Sequence, residues 1–344
     1  MKQIVRFGDP GFSDLWNQLW FSNPYRYPLY SPANLAYYQE LANPAKWRDL
    51  SFIIVVGQVP LLGVCIALNH GDENHALSAF GLPIHLIFHA EFTHERHGKE
   101  IKLLKEEMDR ILMETAPVSV FFQDFLSNGH LSLLGRILMD RGGKAIPVFT
   151  QIVDLTVGED RLRQGLTKTY KWCVNWGIKN LELTILDHQS ITLDHMESFR
   201  QLHFNASGRA TRSHKSWMLQ FDLVKQKEAF VVFGAMEGEL VTASLFIHNQ
   251  KYCFYGVSAS KRELFDKSLS HCIIWKGMLH AHALGVELFE TGEQNFPNHG
   301  TPLPTQKLLG ISSFKKGFGG QTFTRLNITL DALPRVQPDA NHDS

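Results

Sequence analysis

Two stretches half a chain apart share one pattern. Residues 52–68, FIIVVGQVPLLGVCIAL, and residues 229–247, AFVVFGAMEGELVTASLFI, are runs of β-branched, aromatic and aliphatic residues broken by a short glycine-containing turn. Such residues fit the pleated, half-buried surface of a sheet, so each stretch predicts a β-hairpin. What surrounds the hairpins is also alike. Ahead of the first, Phe12–Phe21 and Ala33–Leu41 read as helices; ahead of the second, Asp194–Lys227 supplies two more. After the first come a helix within His94–Thr115, with Ile101, Leu104, Met108 and Ile111 on one side, and a strand at 117–123. A helix over Leu131–Arg141 and a strand over Ile146–Leu155 follow. Thr156 and Glu159 have capping-box spacing and predict one helix that buries Leu162, Leu166, Tyr170 and Cys173. After the second hairpin come a strand at Lys251–Ser258, a helix from about Phe265 to Leu284 stopped by Gly285, and a strand over Val286–Gly292.

The order implies a repeated α/β plan (α+β, mixed sheet). Two tandem units are expected, 1–155 and 156–332, with a cleft between them; residues 333–344, polar and with two prolines, read as a flexible tail. A chain of 344 residues is long enough for two cores. Its 34 Lys+Arg balance 34 Asp+Glu, which argues against a global field that captures DNA or RNA nonspecifically but leaves room for a local anion site. The N-terminal residues interrupt their apolar positions with Gly, Asp and Pro before a secretion signal can form. The longest apolar stretch, Phe52–Leu68, contains Gly57, Gln58, Pro60 and Gly63 and is too short to span a bilayer. A cytoplasmic location with peripheral membrane contact at most is expected. Cys65, Cys173, Cys253 and Cys272 form no CxxC pair and read as buried, reduced thiols. His85, His89, His94 and His97 lie close in sequence, but they lack a His-Glu-x-x-His pattern and no cysteine joins them, so no metal is expected.

Three segments carry a resemblance. Residues 152–177 run from a strand ending in Asp-Leu into a basic helix; residues 202–217, LHFNASGRATRSHKSW, precede the second hairpin; residues 309–320, LGISSFKKGFGG, bring a Phe-Lys pair into Phe-Gly-Gly. Together with the element order, the chain resembles the FemAB-like transferases, tandem relatives of the GNAT acyltransferases, best from about 145 to 330. The resemblance implies transfer of an acyl or aminoacyl group to an amine, often on an envelope precursor. Two departures leave the donor open between acyl-CoA and aminoacyl-tRNA, with no tightly bound cofactor. There is no long charged helical hairpin in the second unit, and residues 256–268 lack the Gln/Arg-x-x-Gly-x-Gly/Ala loop of simple GNAT enzymes.

Acyl transfer needs an amine held beside a donor carbonyl and cationic or hydrogen-bonding groups aimed at the oxyanion. Lys315 matches the lysine of the Phe-Lys signature and is the first candidate, with Lys316 beside it; Gly317, Gly319 and Gly320 would let backbone approach a ligand. Arg209 and Arg212, three apart, would aim both guanidiniums one way on a helical turn and grip a phosphate or carboxylate. Ser216 and Trp217 would line the same site, although a Trp beside Met218 and Phe221 also suits a core. Glu293, or less favourably Glu290, would accept the amine proton from a strand end, where α/β sheets open their ligand crevice. Tyr255, at the end of the preceding strand, and Asn295, in the loop from Gln294 to Thr305, complete the substrate-binding candidates. The expectation is an N-acyltransferase acting on an amine of a cell-envelope or polysaccharide precursor, anionic or lipid-linked. The alternatives are an aminoacyl-tRNA-dependent peptidyltransferase acting on a peptidoglycan precursor, with tRNA as a partner, and a non-catalytic GNAT-like binding module.

Overall fold

A computed structural model describes residues 2–23, 26–71, 75–126, 128–300 and 302–331. The expected tail at 333–344 lies outside them. The first half of the chain runs β1 (Lys2–Arg6), α1 (Phe12–Ser22), α2 (Pro32–Leu41), β2 (Trp47–Asp49), β3 (Phe52–Val56), β4 (Val59–Cys65), β5 (Ala67–Asn69), β6 (Ala76–Ser78), β7 (His85–Phe88), α3 (Gly98–Thr115), β8 (Ser119–Asp124), α4 (Leu133–Met139) and β9 (Lys144–Asp154). The second runs α5 (Glu159–Gly165), α6 (Lys168–Asn180), β10 (Glu182–Leu186), α7 (Leu193–Ser207), α8 (His214–Lys225), β11 (Ala229–Met236), β12 (Glu239–His248), β13 (Tyr252–Ser260), α9 (Leu269–Ala283), β14 (Leu288–Gln294), α10 (Gln306–Lys316) and β15 (Gln321–Asp331).

The chain forms two compact units whose segments alternate. Met1–Pro24, Ala42–Pro147 and Arg325–Ser344 make the first; Tyr25–Leu41 and Val148–Thr324 make the second. A single cut after residue 155 therefore does not describe the division. Helix α2, expected ahead of the first hairpin's unit, belongs to the second, and β15 passes from the second to the first. The reason for α2 is polar as well as apolar. Tyr37 Oη accepts from Arg212 Nε at 3.0 Å, Glu40 accepts from Ser213 Oγ at 2.8 Å, and Ser31 donates to Glu228.

In the first unit, β1, β3, β4 and β7 form an antiparallel sheet in that order. Helix α1 crosses β4 at Gly63, where a Cβ would stand 2.6 Å from Leu19 Cδ2. The remaining strands run β15, β8, β6, β5, β2, with β6 parallel to β8. Leu104, Met108, Ile111, Leu134 and Ile137 of the helices pack with Phe52, Leu62, Val120 and Ile328 of the strands in one core.

In the second unit the strands run β10, β11, β12, β13, β14, β9, β15; β13 and β14 pair in parallel, whereas β10–β11, β11–β12, β12–β13 and β14–β9 are antiparallel. Helix α9 lies on β12 at Gly277, whose Cβ would come within 2.5 Å of the Phe246 ring. Phe230, Phe246 and Phe289 are fully buried there, each contributing about 1.5–3 kcal/mol by leaving water. Two local expectations fail. The capping box at Thr156 and Glu159 does not form, because the Thr156 N–H and Oγ1 both bind Asp154 Oδ1 at 2.8 and 2.7 Å, and α5 begins after Gly158 instead. The one helix expected beyond it is two: Thr167 caps a new helix, its Oγ1 accepting from the Tyr170 N–H at 3.4 Å.

Candidate functional site

Strands β13 and β14 pair in parallel over three residues only, Tyr252 with Leu288, Cys253 with Phe289 and Phe254 with Glu290. Beyond them β13 stays with β12 as far as Ser260, while β14 stays with β9 as far as Gln294 and shifts register between Glu290 and Gly292. The two parallel strands therefore part at their C-terminal ends. A gap of this kind is where an α/β sheet exposes backbone groups and side chains to a ligand.

The parted end of β14 carries charge. Glu290 is 3% exposed, and its carboxylate accepts from Tyr27 Oη at 2.9 Å and Thr150 Oγ1 at 2.7 Å. Lys315, in the last turn of α10, reaches β14 and donates from Nζ to the Glu293 carbonyl at 3.2 Å. It can do so because residue 292 is glycine: φ is +101°, and a Cβ there would lie 3.0 Å from Nζ. Burial lowers the Lys315 pKa below the ordinary lysine value, and the negative charges of Glu293 and Glu290 oppose that shift.

On the β13 side lies a pocket of about 280 Å³, lined among others by Ser258, Ser260, Lys267, Ser270, His271 and Phe314. Ser258 Oγ accepts from Ser244 Oγ at 2.9 Å, which orients one hydroxyl on the wall. His271, in the first turn of α9, sits among Tyr170, Phe314 and Phe318 with ring centroids 4.6, 5.2 and 6.1 Å away, and burial lowers its pKa, favouring the neutral ring. Burial also raises the Tyr255 pKa, keeping a protonated phenol on β13. Phe314 and Lys315 thus face different parts of the site from adjacent positions of α10.

FemX superposes with a TM-score of 0.68 at 12% identity, covering 95% of this chain and 96% of that one. The fold is that of the tandem GNAT and FemAB-like proteins. A tandem GNAT protein from the clavulanic acid biosynthesis pathway gives 0.55 at 14% identity over 97% and 99% of the two chains. L-PGS from Bacillus licheniformis gives 0.56 at 12% identity over 90% and 93%. No family model matches the sequence, and no curated protein matches it.

Within this tandem GNAT fold the residues singled out from sequence fall in different places. Lys315, Glu293, Asn295 and Tyr255 lie on α10 or on the parted strands and their ends; Asn295 is tied to α10 by its N–H to Ser312 Oγ at 2.8 Å. Lys316, the last residue of α10, is exposed. Arg209 and Arg212 lie in the loop between α7 and α8, not on a helical turn, so the expected common direction does not arise. Arg209 is exposed, whereas Arg212 is held by Tyr37 and by His203 at 3.1 Å. Ser216 and Trp217 are buried: the Ser216 N–H caps onto Ser213 Oγ at 3.0 Å, and Trp217 packs on Phe199 at 5.2 Å, so both are core and cap residues of α8.

The signature glycines also serve the chain itself. A Cβ at Gly319 would lie 2.9 Å from the Gly165 carbonyl oxygen, one at Gly320 would collide with the Ile152 carbonyl, and both φ values are positive, +87° and +78°. They permit close backbone packing. Tyr27 and Thr150, the partners that single out Glu290, lie 263 and 140 positions from it, so no local motif in the sequence marks them. Among the described residues no group of three or more His, Cys, Asp or Glu side chains is placed to hold a metal ion, and no helix is long and apolar enough to cross a membrane. The four cysteines are buried and unpaired.

Proposed function

We propose that this protein is an N-acyltransferase whose reacting groups meet at the parted ends of β13 and β14. The observation that carries the reading is Lys315: a partly buried ammonium fixed over Gly292, at the mouth of the strand gap, beside the carboxylates of Glu290 and Glu293. Its fold, shared with FemX and the tandem GNAT protein, supports the same reaction class. An acyl-CoA donor would lay its polar portion against the hydroxyls of Ser258, Ser260 and Ser270 and the ammonium of Lys267, and its carbonyl toward Lys315. An aminoacyl-tRNA donor would present its terminal ester to the same lysine.

The acceptor amine attacks the donor carbonyl carbon, forming the C–N bond as negative charge develops on oxygen. Lys315 stabilises that oxyanion. Collapse breaks the C–S bond of a thioester, or the C–O bond of an aminoacyl ester. The exposed Glu293 carboxylate accepts the amine proton, and the leaving thiolate or alkoxide takes a proton from Tyr255 or from water. Arg209, Lys316 and Asn295 would meet the anionic part of an acceptor on a cell-envelope or polysaccharide precursor. Mass spectrometry of amine-bearing envelope precursors, incubated with the protein and either acyl-CoA or aminoacyl-tRNA, tests the reading. A defined acyl mass increment that disappears in Lys315→Ala is expected. No increment with either donor would overturn it, and loss of transfer on ribonuclease treatment would identify the tRNA form.

A further inference from the structure

Helix α10 presents an apolar stripe that leads to Lys315. Leu308, Ile311 and Lys315 stand at i, i+3 and i+7, one face of the helix. Ser312, at i+4 on the same face, is buried and bonded to the Asn295 N–H, so the open edge of the stripe follows Ile311; Phe314 lines the pocket beside β13. The stripe is open: Leu308 is 41% and Ile311 38% exposed, against 0–1% for Phe230, Phe246, Phe289 and Phe318 of the same unit's core. More apolar surface flanks it in the chain leading to α10, with Leu303 62% exposed ahead of the N-cap Thr305, and Phe296, immediately after Asn295, 38% exposed. Isolated apolar side chains on a surface need no explanation, but a run that ends on a candidate catalytic ammonium does.

The direction of the stripe identifies its occupant. Seven residues of helix rise about 10 Å, so Ile311 and Leu308 continue outward from Lys315 over the length of a medium alkyl chain. If Lys315 holds the donor's carbonyl oxygen, the group bonded to that carbonyl carbon starts at the foot of the stripe. The leaving group extends the other way, past Phe314 into the pocket with Ser258, Ser260 and Lys267. We infer that the transferred group is a medium-chain fatty acyl group, carried as a thioester, whose alkyl chain lies along Ile311 and Leu308 toward Leu303 and Phe296. The inference rests on the proposed acyl transfer at Lys315 and specifies its donor.

The test measures transfer from acetyl-, octanoyl- and dodecanoyl-CoA to an amine acceptor, together with calorimetric binding of free dodecanoate below its micellar concentration. KM should fall roughly twofold per added methylene on a half-exposed stripe, about 10³-fold over the ten methylenes from acetyl to dodecanoyl. Ile311→Asn and Leu308→Asn should flatten that dependence and weaken dodecanoate binding. Both positions are partly exposed, so an unchanged Tm checks that the variants fold, and Leu303→Asn, in the loop, gives an independent variant. Equal KM for acetyl- and dodecanoyl-CoA, or a chain-length dependence that survives all three substitutions, overturns the inference and leaves the acyltransferase reading standing. If no CoA thioester is used, that donor form fails, and the alkyl site is decided by dodecanoate alone. Saturable binding weakened by the substitutions supports the alkyl site, and the absence of saturable binding overturns it.

Discussion

Lys315 is held between opposing influences, and its chemistry follows from their balance. Burial disfavours the ammonium, while Glu293 and Glu290 favour it. An oxyanion stabiliser must be protonated, so kcat should fall as pH rises through a lysine pKa displaced below 10.5. Glu290→Gln removes one of the two favouring charges and should move that alkaline limb to lower pH; a limb that stays in place in the pH–rate profile would separate the two groups. Lys315→Met should lower kcat about 10²- to 10³-fold, the cost of one oxyanion donor, and abolish the limb, with little change in Tm. At this scale the sequence was legible where a local signature existed. The Phe-Lys pair marked Lys315, whereas Glu290 was hard to rank because its partners Tyr27 and Thr150 come from distant segments. Arg209 and Arg212 were misread because Gly208, at φ +71°, ends α7 and puts them in a loop.

Elements were legible where their apolar period was strong and ambiguous where an end was decided by a competing hydrogen bond. Both hairpins and the helices α3, α7, α8 and α9 fall where the pattern predicts them. The break between α5 and α6 was hidden because its apolar positions, Leu162, Leu166 and Cys173, stay buried across it. The assignment of α2 to the second unit depends on Tyr37, Glu40 and Ser31 meeting residues far along the chain, which no window of sequence contains. Two glycines give a contrasting pair of predictions. Gly320→Ala places a Cβ against the Ile152 backbone at φ +78° and should destabilise by more than about 1 kcal/mol in urea unfolding. Gly310→Ala, within α10 and with nothing near its Cβ position, should stabilise by up to about 1 kcal/mol. Equal responses would mean that neither backbone conformation nor packing limits these sites.

For the molecule as a whole, zero formal charge hides how unevenly its histidines are placed. Of the 17, His85 on β7 in the first unit and His248 on β12 in the second are each pushed down to about 4, chiefly by burial. The His280 ring adds to the effect at His248. Between pH 6.5 and 4 the unfolded chain therefore binds protons at these positions that the folded chain refuses, so stability falls as pH drops through this window and changes little from this source above it. A displacement of this size corresponds to about 3 kcal/mol per histidine once fully developed. Because each unit holds one such group, both should weaken over the same pH range, whichever unfolds first. Urea midpoints between pH 7.5 and 4 should decline most steeply below 6.5. His248→Gln, which cannot take up the proton, should flatten the decline while costing some stability at neutral pH through its packing against Phe230, 5.5 Å away between ring centroids. A slope equal to that of the parent protein would show that His248 stays solvated in the folded chain and that acid lability comes from elsewhere.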